Sequence, residues 1–144
     1  MSEPIIFIAH QKVKPGKIEE YKECYREVGE WMESNKPQTA AHIAYLSEDG
    51  AQASVIHIFP DIGAMEQHMQ NLGDLGAKAF SLMEIIGFEV YGTPSKEVLD
   101  SMLKMIPEAS VTMKPQAAGG YIRLRSKNSG QEKDARAPSI QDNF

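Results

Sequence analysis

The sequence predicts an α+β domain in which four strands and two helices alternate in the order βαββαβ around a four-stranded antiparallel sheet. Three observations predict it. Short segments rich in β-branched and aromatic residues alternate with stretches whose apolar residues recur every three or four positions. The dipeptide Asp49-Gly50 separates the two central β-prone segments, which is typical of a tight hairpin. One helical stretch precedes this hairpin and another comes after it.

The first half of the pattern is a strand that leads into an amphipathic helix. Residues 5–13 favour a strand, which ends at Lys14-Pro15-Gly16. Over residues 15–35 the spacing of apolar residues predicts a helix with one buried face, and Pro37 ends it. That face consists of Ile18, Tyr21, Tyr25, Val28 and Met32.

The central hairpin and a second helix form the middle of the pattern. Residues 41–47 and 51–59 are β-prone and should pair antiparallel across the turn. Asp61 is suited to cap the second helix. The buried face of that helix contains Met65, His68, Met69 and Leu72.

Two glycines, Gly73 and Gly76, are expected to interrupt or kink this second helix. A further helical piece over residues 75–84 leads into a fourth strand over residues 85–91, which Gly92 ends. The resulting order is the ferredoxin-like or split-βαβ plan, with helices on one face of the sheet.

The predicted strands are apolar on both faces. In the first strand Ile6 and Ile8 alternate with Phe7 and Ala9, and the third strand shows the same pattern. A sheet with one face in water would alternate apolar and polar residues. We therefore expect a cover on the second face, and a second copy of the chain in a homodimer is the simplest one.

The remainder of the chain extends this unit, which we assign to residues 1–92. Residues 93–125 are expected to form an extension of the same domain, with a helix capped by Thr93 and begun by Pro94. Short strands are expected at residues 110–113 and 121–124. Residues 126–144 carry few apolar side chains and should form a tail that is flexible or packed on the partner subunit.

Composition excludes several classes of function. The chain has 144 residues, enough for one domain, and its net charge of −5 opposes nucleic-acid binding. Cys24 is the only cysteine, so an intramolecular disulfide is impossible and a reducing compartment fits. No segment has the length of a membrane span or of a signal-peptide core. We expect a cytoplasmic protein with no membrane and no nucleic-acid partner.

The four histidines, His10, His42, His57 and His68, are the natural acid-base candidates. His68 lies on the apolar face of the second helix, where it either approaches a bound ligand or is a hydrogen-bonded core residue. The pairing register needed to place the other three together is not known from sequence. His-x-His and His-x-x-x-His spacings are absent, so we expect no metal site.

Aromatic and methionine side chains are candidates for a ligand cavity. Trp31, Tyr45 and Phe59 could line a cavity for a flat aromatic molecule, together with Phe7, Phe80 and Phe88, or could be ordinary core. Met65 could form an adaptable pocket wall or fill the core. Gly119-Gly120 matches no phosphate-binding loop, so no nucleotide or flavin is implied.

Two stretches resemble the antibiotic biosynthesis monooxygenase-like domains of the dimeric α/β-barrel superfamily. They are VKPGKIEEY at residues 13–21 and IFPDIGAMEQH at residues 58–68. The resemblance extends over about residues 4–92. It implies a homodimer whose two sheets face each other, with the substrate between the sheet and the helices.

The resemblance also implies a type of reaction. Characterised members oxygenate quinols or polyketide anthrones without flavin, metal or haem, and His68 matches a histidine frequent on their second helix. Phe59 stands where the family usually has a bulky aromatic residue, often Trp. The haem-degrading branch uses an Asn on the first strand and a Trp on the third, and this chain has neither there.

We therefore expect a monooxygenase that needs no cofactor and acts on a small aromatic substrate of quinol or polyketide type, with His68 as the base. The residues expected to shape its site are Trp31, Tyr45, His57, Phe59 and Met65. The alternative is a non-catalytic dimeric barrel that binds a small apolar ligand or serves as an interaction module. The missing third-strand Trp and the C-terminal extension favour this alternative.

Overall fold

A computed structural model describes residues 3–123 as a five-stranded mixed sheet with helices on one face. Within these residues, no helix combines the length and the hydrophobicity that a membrane span requires. The elements are β1 (Ile5–Val13), α1 (Ile18–Asn35), β2 (Ala41–Leu46), β3 (Gln52–Phe59), α2 (Ile62–His68), α3 (Gly73–Leu82), β4 (Met83–Tyr91), α4 (Lys96–Met105) and β5 (Val111–Lys114).

The strands are ordered β2-β3-β1-β4-β5. β1 lies at the centre and pairs antiparallel with β3 and β4, while β2 pairs antiparallel with β3. The predicted βαββαβ order is confirmed, but the prediction of a purely antiparallel four-stranded sheet is wrong. β5 adds a fifth strand parallel to β4, because α4 provides the crossover connection that a parallel neighbour requires.

The hairpin between β2 and β3 turns at the predicted dipeptide. Gly50 has a φ of +74°, a conformation that glycine adopts without strain. The Asp49 carboxylate accepts hydrogen bonds from the Ala51 amide at 3.0 Å and from the Ser47 hydroxyl at 2.8 Å. These contacts set a register in which His42 lies directly opposite His57.

Helix α2 is capped as predicted but is shorter than predicted. The Asp61 carboxylate accepts a hydrogen bond from the Ala64 amide at 2.8 Å, which confirms the N-cap. The helix ends at His68, and Asn71 and Gly73 then adopt φ values of +54° and +59°. Gly73 thus interrupts the helical path, whereas Gly76 lies inside α3 and does not.

The C-terminal extension differs from expectation at its cap. Ser95, not Thr93, caps α4, since its hydroxyl accepts a hydrogen bond from the Val98 amide at 3.3 Å. The strand expected at residues 110–113 is confirmed by β5. Residues 121–123 form no strand, and the rest of the second expected strand, like the tail at 126–144, lies outside the described residues.

The two faces of the sheet have different surroundings. Odd-numbered residues of β1 and β3, such as Phe7 and Val55, are buried beneath the helices. Side chains on the opposite face, including Ile8 and Ile56, are only half-buried, and Tyr45 there is 53% exposed. The second apolar face predicted from the sequence is therefore present and uncovered in the single chain.

Candidate active site

A cavity of about 590 Å³ lies between the helix-covered face of the sheet and the helices. Its floor comes from β1–β4, and its walls come from α1, α2, α3 and α4 together with the turn after α2. Most of the lining is apolar, including Phe7, Trp31, Phe80 and Phe88. Its size and lining are those of a site for one small organic molecule.

Three of the four histidines meet at one side of this cavity. His42 and His57 come from neighbouring strands, and His68 is the last residue of α2, which packs against β3. The ring centroids of His42 and His57 are 4.9 Å apart, those of His57 and His68 are 5.1 Å apart, and those of His42 and His68 are 5.6 Å apart. All three line the cavity.

Hydrogen bonds orient two of these rings. Nδ1 of His57 donates to the Phe7 carbonyl at 3.1 Å, and Nδ1 of His68 shares a hydrogen bond with the Thr39 hydroxyl at 2.9 Å. A ring that donates through Nδ1 keeps its lone pair on Nε2. His57, and His68 when Thr39 accepts, therefore keep Nε2 free to take a proton or an electrophile.

Burial keeps the three imidazoles neutral near pH 7. Desolvation lowers the pKa of His42 to about 4. The same cause, followed by the electrostatic effects of His42 and Lys36, lowers the pKa of His68 to about 3. The pKa of His57 also falls well below its ordinary value, first because of burial and then because of the other two histidines.

A chain of buried polar groups runs along the adjoining wall. The Tyr21 hydroxyl donates to Oε1 of Gln11 at 2.6 Å, and Nε2 of Gln11 donates to the Tyr25 hydroxyl at 3.1 Å. The Tyr25 ring stacks on Tyr21, with centroids 4.5 Å apart, and lies nearly parallel to the His42 ring at 6.4 Å. Sequence reasoning missed Gln11, although its place among the buried odd-numbered residues of the first strand was a usable signal.

The residues expected to shape the site are not all in the cavity. Trp31, His57 and His68 line it. Phe59 and Met65 are fully buried and absent from the cavity lining, with the Phe59 ring 5.2 Å from His68. Tyr45 lies on the opposite face of the sheet, so the expectation that it shapes this cavity is wrong.

The fourth histidine has different partners. His10 lies on the uncovered face, where Nδ1 is 2.8 Å from the Ser54 hydroxyl and Nε2 pairs with the Glu89 carboxylate. The Tyr91 hydroxyl donates to the same carboxylate at 2.6 Å. Hydrogen bonds from Tyr91 and His10 lower the pKa of Glu89. This polar chain is separated from the cavity by the sheet.

Helix α4 supplies a wall that the sequence analysis did not assign. Its buried residues Val98 and Met102 line the cavity, as do Met105, Ser101 and Glu97. In the sequence, Val98, Leu99, Met102 and Leu103 recur at the spacing typical of a helix with one buried face. The surface that this face covers depends on where the helix packs, which the spacing does not specify.

No protein-family model and no curated protein sequence matches this chain. Solved structures do match its fold. MupZ from Pseudomonas fluorescens is 19% identical, with a TM-score of 0.63 over 85% of this chain and 91% of its own. SnoaB, a cofactor-independent oxygenase from Streptomyces nogalater, is 12% identical, with a TM-score of 0.55 over 66% and 97%. A protein named antibiotic biosynthesis monooxygenase is 20% identical, with a TM-score of 0.50 over 60% and 92%.

Proposed function

We propose that this chain, which has the fold of the antibiotic biosynthesis monooxygenase-like ferredoxin-fold proteins, is a monooxygenase of small aromatic substrates of quinol or polyketide type. The observation that carries the proposal is a group of neutral imidazoles on the wall of an apolar cavity of about 590 Å³. The fold alone does not specify an activity, so the proposal depends on this site.

The chemistry uses the substrate as the electron donor. When an anthrone-type CH₂ group is oxidised to C=O, one oxygen atom of O₂ stays on carbon and the other leaves as water with the two hydrogens. A base removes the first proton, and the resulting enolate passes one electron to O₂. The radical and superoxide combine to a peroxide anion, which takes up a proton and then loses water to give the carbonyl.

His68 is the base in this scheme. Its ring lines the cavity, and when the Thr39 hydroxyl accepts from Nδ1, Nε2 is the atom that takes the proton. The lowered pKa means that the imidazole is neutral near pH 7, so Nε2 carries the lone pair that accepts the substrate proton. The imidazolium formed is then stabilised by the enolate beside it, since a close opposite charge favours the protonated ring in a desolvated site.

We propose in addition that two copies pair through the uncovered sheet face. The half-buried isoleucines of β1 and β3, including Ile8 and Ile56, would be covered by a second copy, as would Tyr45. Sedimentation velocity tests this with Ile56→Asp, which should shift the protein to a monomer. Ile62→Asp, at an exposed isoleucine on α2, is the matched control and should stay dimeric. A monomeric unmodified protein would contradict the pairing.

The activity is tested by oxygen uptake with EDTA-treated protein and a panel of hydroquinones and anthrones. We expect uptake above spontaneous autoxidation, reduced by a factor of about 10² to 10⁴ in His68→Gln, the range for loss of a general base. His10→Gln is the matched control, because His10 lies across the sheet from the cavity. Thermal melting of each variant separates loss of the base from loss of the fold.

The same panel distinguishes a monooxygenase from a non-catalytic barrel that only binds a ligand. Saturable quenching of Trp31 fluorescence by the same aromatics, without oxygen uptake, would replace the monooxygenase with a non-catalytic carrier. Equal uptake by the unmodified protein and His68→Gln would remove His68 as the base.

A further inference from the structure

Three ring nitrogens converge where the sequence shows no metal-binding motif. One nitrogen from each of His42, His57 and His68 lies within 4.8 Å of the others. We propose that these three histidines bind one divalent transition-metal ion of the zinc or cobalt class at the wall of the cavity. The inference does not depend on the proposed monooxygenase activity, and the base role of His68 applies to the metal-free protein, because a bound ion would occupy the same Nε2 lone pair.

The donor set suits such an ion. Imidazole nitrogens are common ligands for zinc, copper, nickel and iron, and three of them leave a fourth position open in a tetrahedral site. At metal–nitrogen distances of about 2.1 Å, two nitrogens of a tetrahedral site are about 3.4 Å apart. Nitrogens that are 4.8 Å apart must therefore move about 1.4 Å closer together when the ion binds.

The surroundings of the rings match those of metal ligands. A metal-bound histidine usually gives its other ring N–H to a carbonyl or another acceptor, which sets the ring orientation. His57 does so to the Phe7 carbonyl at 3.1 Å, and the Thr39 hydroxyl can accept from His68 at 2.9 Å. Both arrangements direct Nε2 away from the hydrogen-bond partner.

Two features of the surroundings oppose an unneutralised cation. His57 and His68 are buried, and burial disfavours any charge that is not paired. The positive charge of Lys36 acts on His68 and opposes a cation there. An anionic ligand at the open fourth position, such as a phenolate, carboxylate or hydroxide, would offset that charge, and all three histidines line the cavity of about 590 Å³.

The absence of His-x-His and His-x-x-x-His spacings does not exclude this site. The ligands come from β2, β3 and α2, so they meet only after the hairpin has paired and the helix has packed on it. The alternative is that the three rings bind no metal and pack as a neutral aromatic cluster. His57 packs edge-to-face against His42 and His68, with interplanar angles of 77° and 81°. Direct metal titration distinguishes the two.

The experiment titrates EDTA-treated full-length protein with Co²⁺ and then Zn²⁺, with no organic substrate present. We expect one equivalent of Co²⁺ to produce visible d–d bands of a four- or five-coordinate site, Zn²⁺ to displace it, and either ion to raise the melting temperature. Isothermal titration calorimetry gives the stoichiometry and the affinity.

Single variants assign the ligands. His42→Gln and His68→Gln should each weaken Co²⁺ binding by more than about 10-fold, because loss of a ligand costs at least as much as loss of its supporting hydrogen bond. His10→Gln should bind as the unmodified protein does. Two variants are used because one substitution could disturb the core, and far-ultraviolet circular dichroism confirms folding.

Two results would overturn the proposal. One is the absence of d–d bands and of binding heat at millimolar metal. The other is Co²⁺ binding that persists unchanged in His42→Gln and His68→Gln. Neither readout uses oxygen uptake, so a failed metal site and a failed monooxygenase assignment are told apart.

Discussion

Lys36 is a buried cation whose removal should loosen the segment that carries His68. Its side chain is 6% exposed, and Nζ donates to the carbonyls of Gln67 at 2.8 Å and Gln70 at 2.5 Å. The ammonium also lies 5.7 Å from the centre of the Trp31 ring. Lys36→Met keeps a side chain of similar length and removes the charge and all three hydrogen-bond donors.

The size of the effect follows from the two carbonyls. Each of the two hydrogen bonds from this charged donor contributes about 1.5–3 kcal/mol, and the favourable position near a helix C-terminus contributes about 0.3–1 kcal/mol. More than half of this total is recovered, because burying Met desolvates no charge and water reaches the freed carbonyls. We expect the free energy of unfolding to fall by about 2 kcal/mol, which lowers the melting temperature by about 4–8 °C in a chain of this size.

Urea denaturation measures the change, with Lys22→Met as the matched control. Lys22 lies on α1, which ends one residue before Lys36. It is half-exposed and pairs with Glu19 at 3.4 Å, so its loss should cost less than about 1 kcal/mol. Histidine NMR titration should also show that the pKa of His68 rises in Lys36→Met, since a nearby positive charge is removed. Equal destabilisation by both substitutions, with the pKa of His68 unchanged, would refute the reasoning.

Further predictions concern stability. Asp61→Ala should lower the free energy of unfolding by about 1 kcal/mol in urea denaturation, whereas Asp61→Asn, which can still cap α2, should change it little. Acid should destabilise the metal-free protein from about pH 6.5 downward, because the native pKa values of His42 and His68, about 4 and about 3, leave the unfolded chain binding more protons. Melting temperatures that stay level between pH 7 and pH 5 would contradict this. Tyr21→Phe should cost about 1–3 kcal/mol by leaving buried Oε1 of Gln11 without a donor, and the Gln11→Ala/Tyr21→Phe pair should be less than additive.

The ferredoxin-like core could be predicted because its signals are local. Asp61 at a helix cap and Gly50 at a hairpin turn act through their own backbone neighbours, and apolar periodicity identifies each element separately. The fifth strand was predicted as a segment. Its parallel pairing with β4 was not, because pairing depends on where α4 crosses and not on the residues of β5.

Part of the histidine cluster could be predicted from the sequence. His42 is seven residues before Asp49 and His57 is seven residues after Gly50, so a hairpin centred on that dipeptide pairs them. Tyr45 is three residues from His42, an odd offset that places it on the opposite face of a strand. Only His68 could not be placed, because its approach to the strands depends on how α2 packs on β3.

The extension after β4 limits how much about a bound ligand can be inferred from the fold. The ferredoxin-like unit ends with β4, yet the next helix, α4, contributes Val98 and Met102 to the cavity wall. A molecule held there contacts side chains that the βαββαβ unit does not provide. Proteins that share only the fold of that unit therefore do not define the shape of this cavity, and any ligand must be identified on this chain with α4 in place.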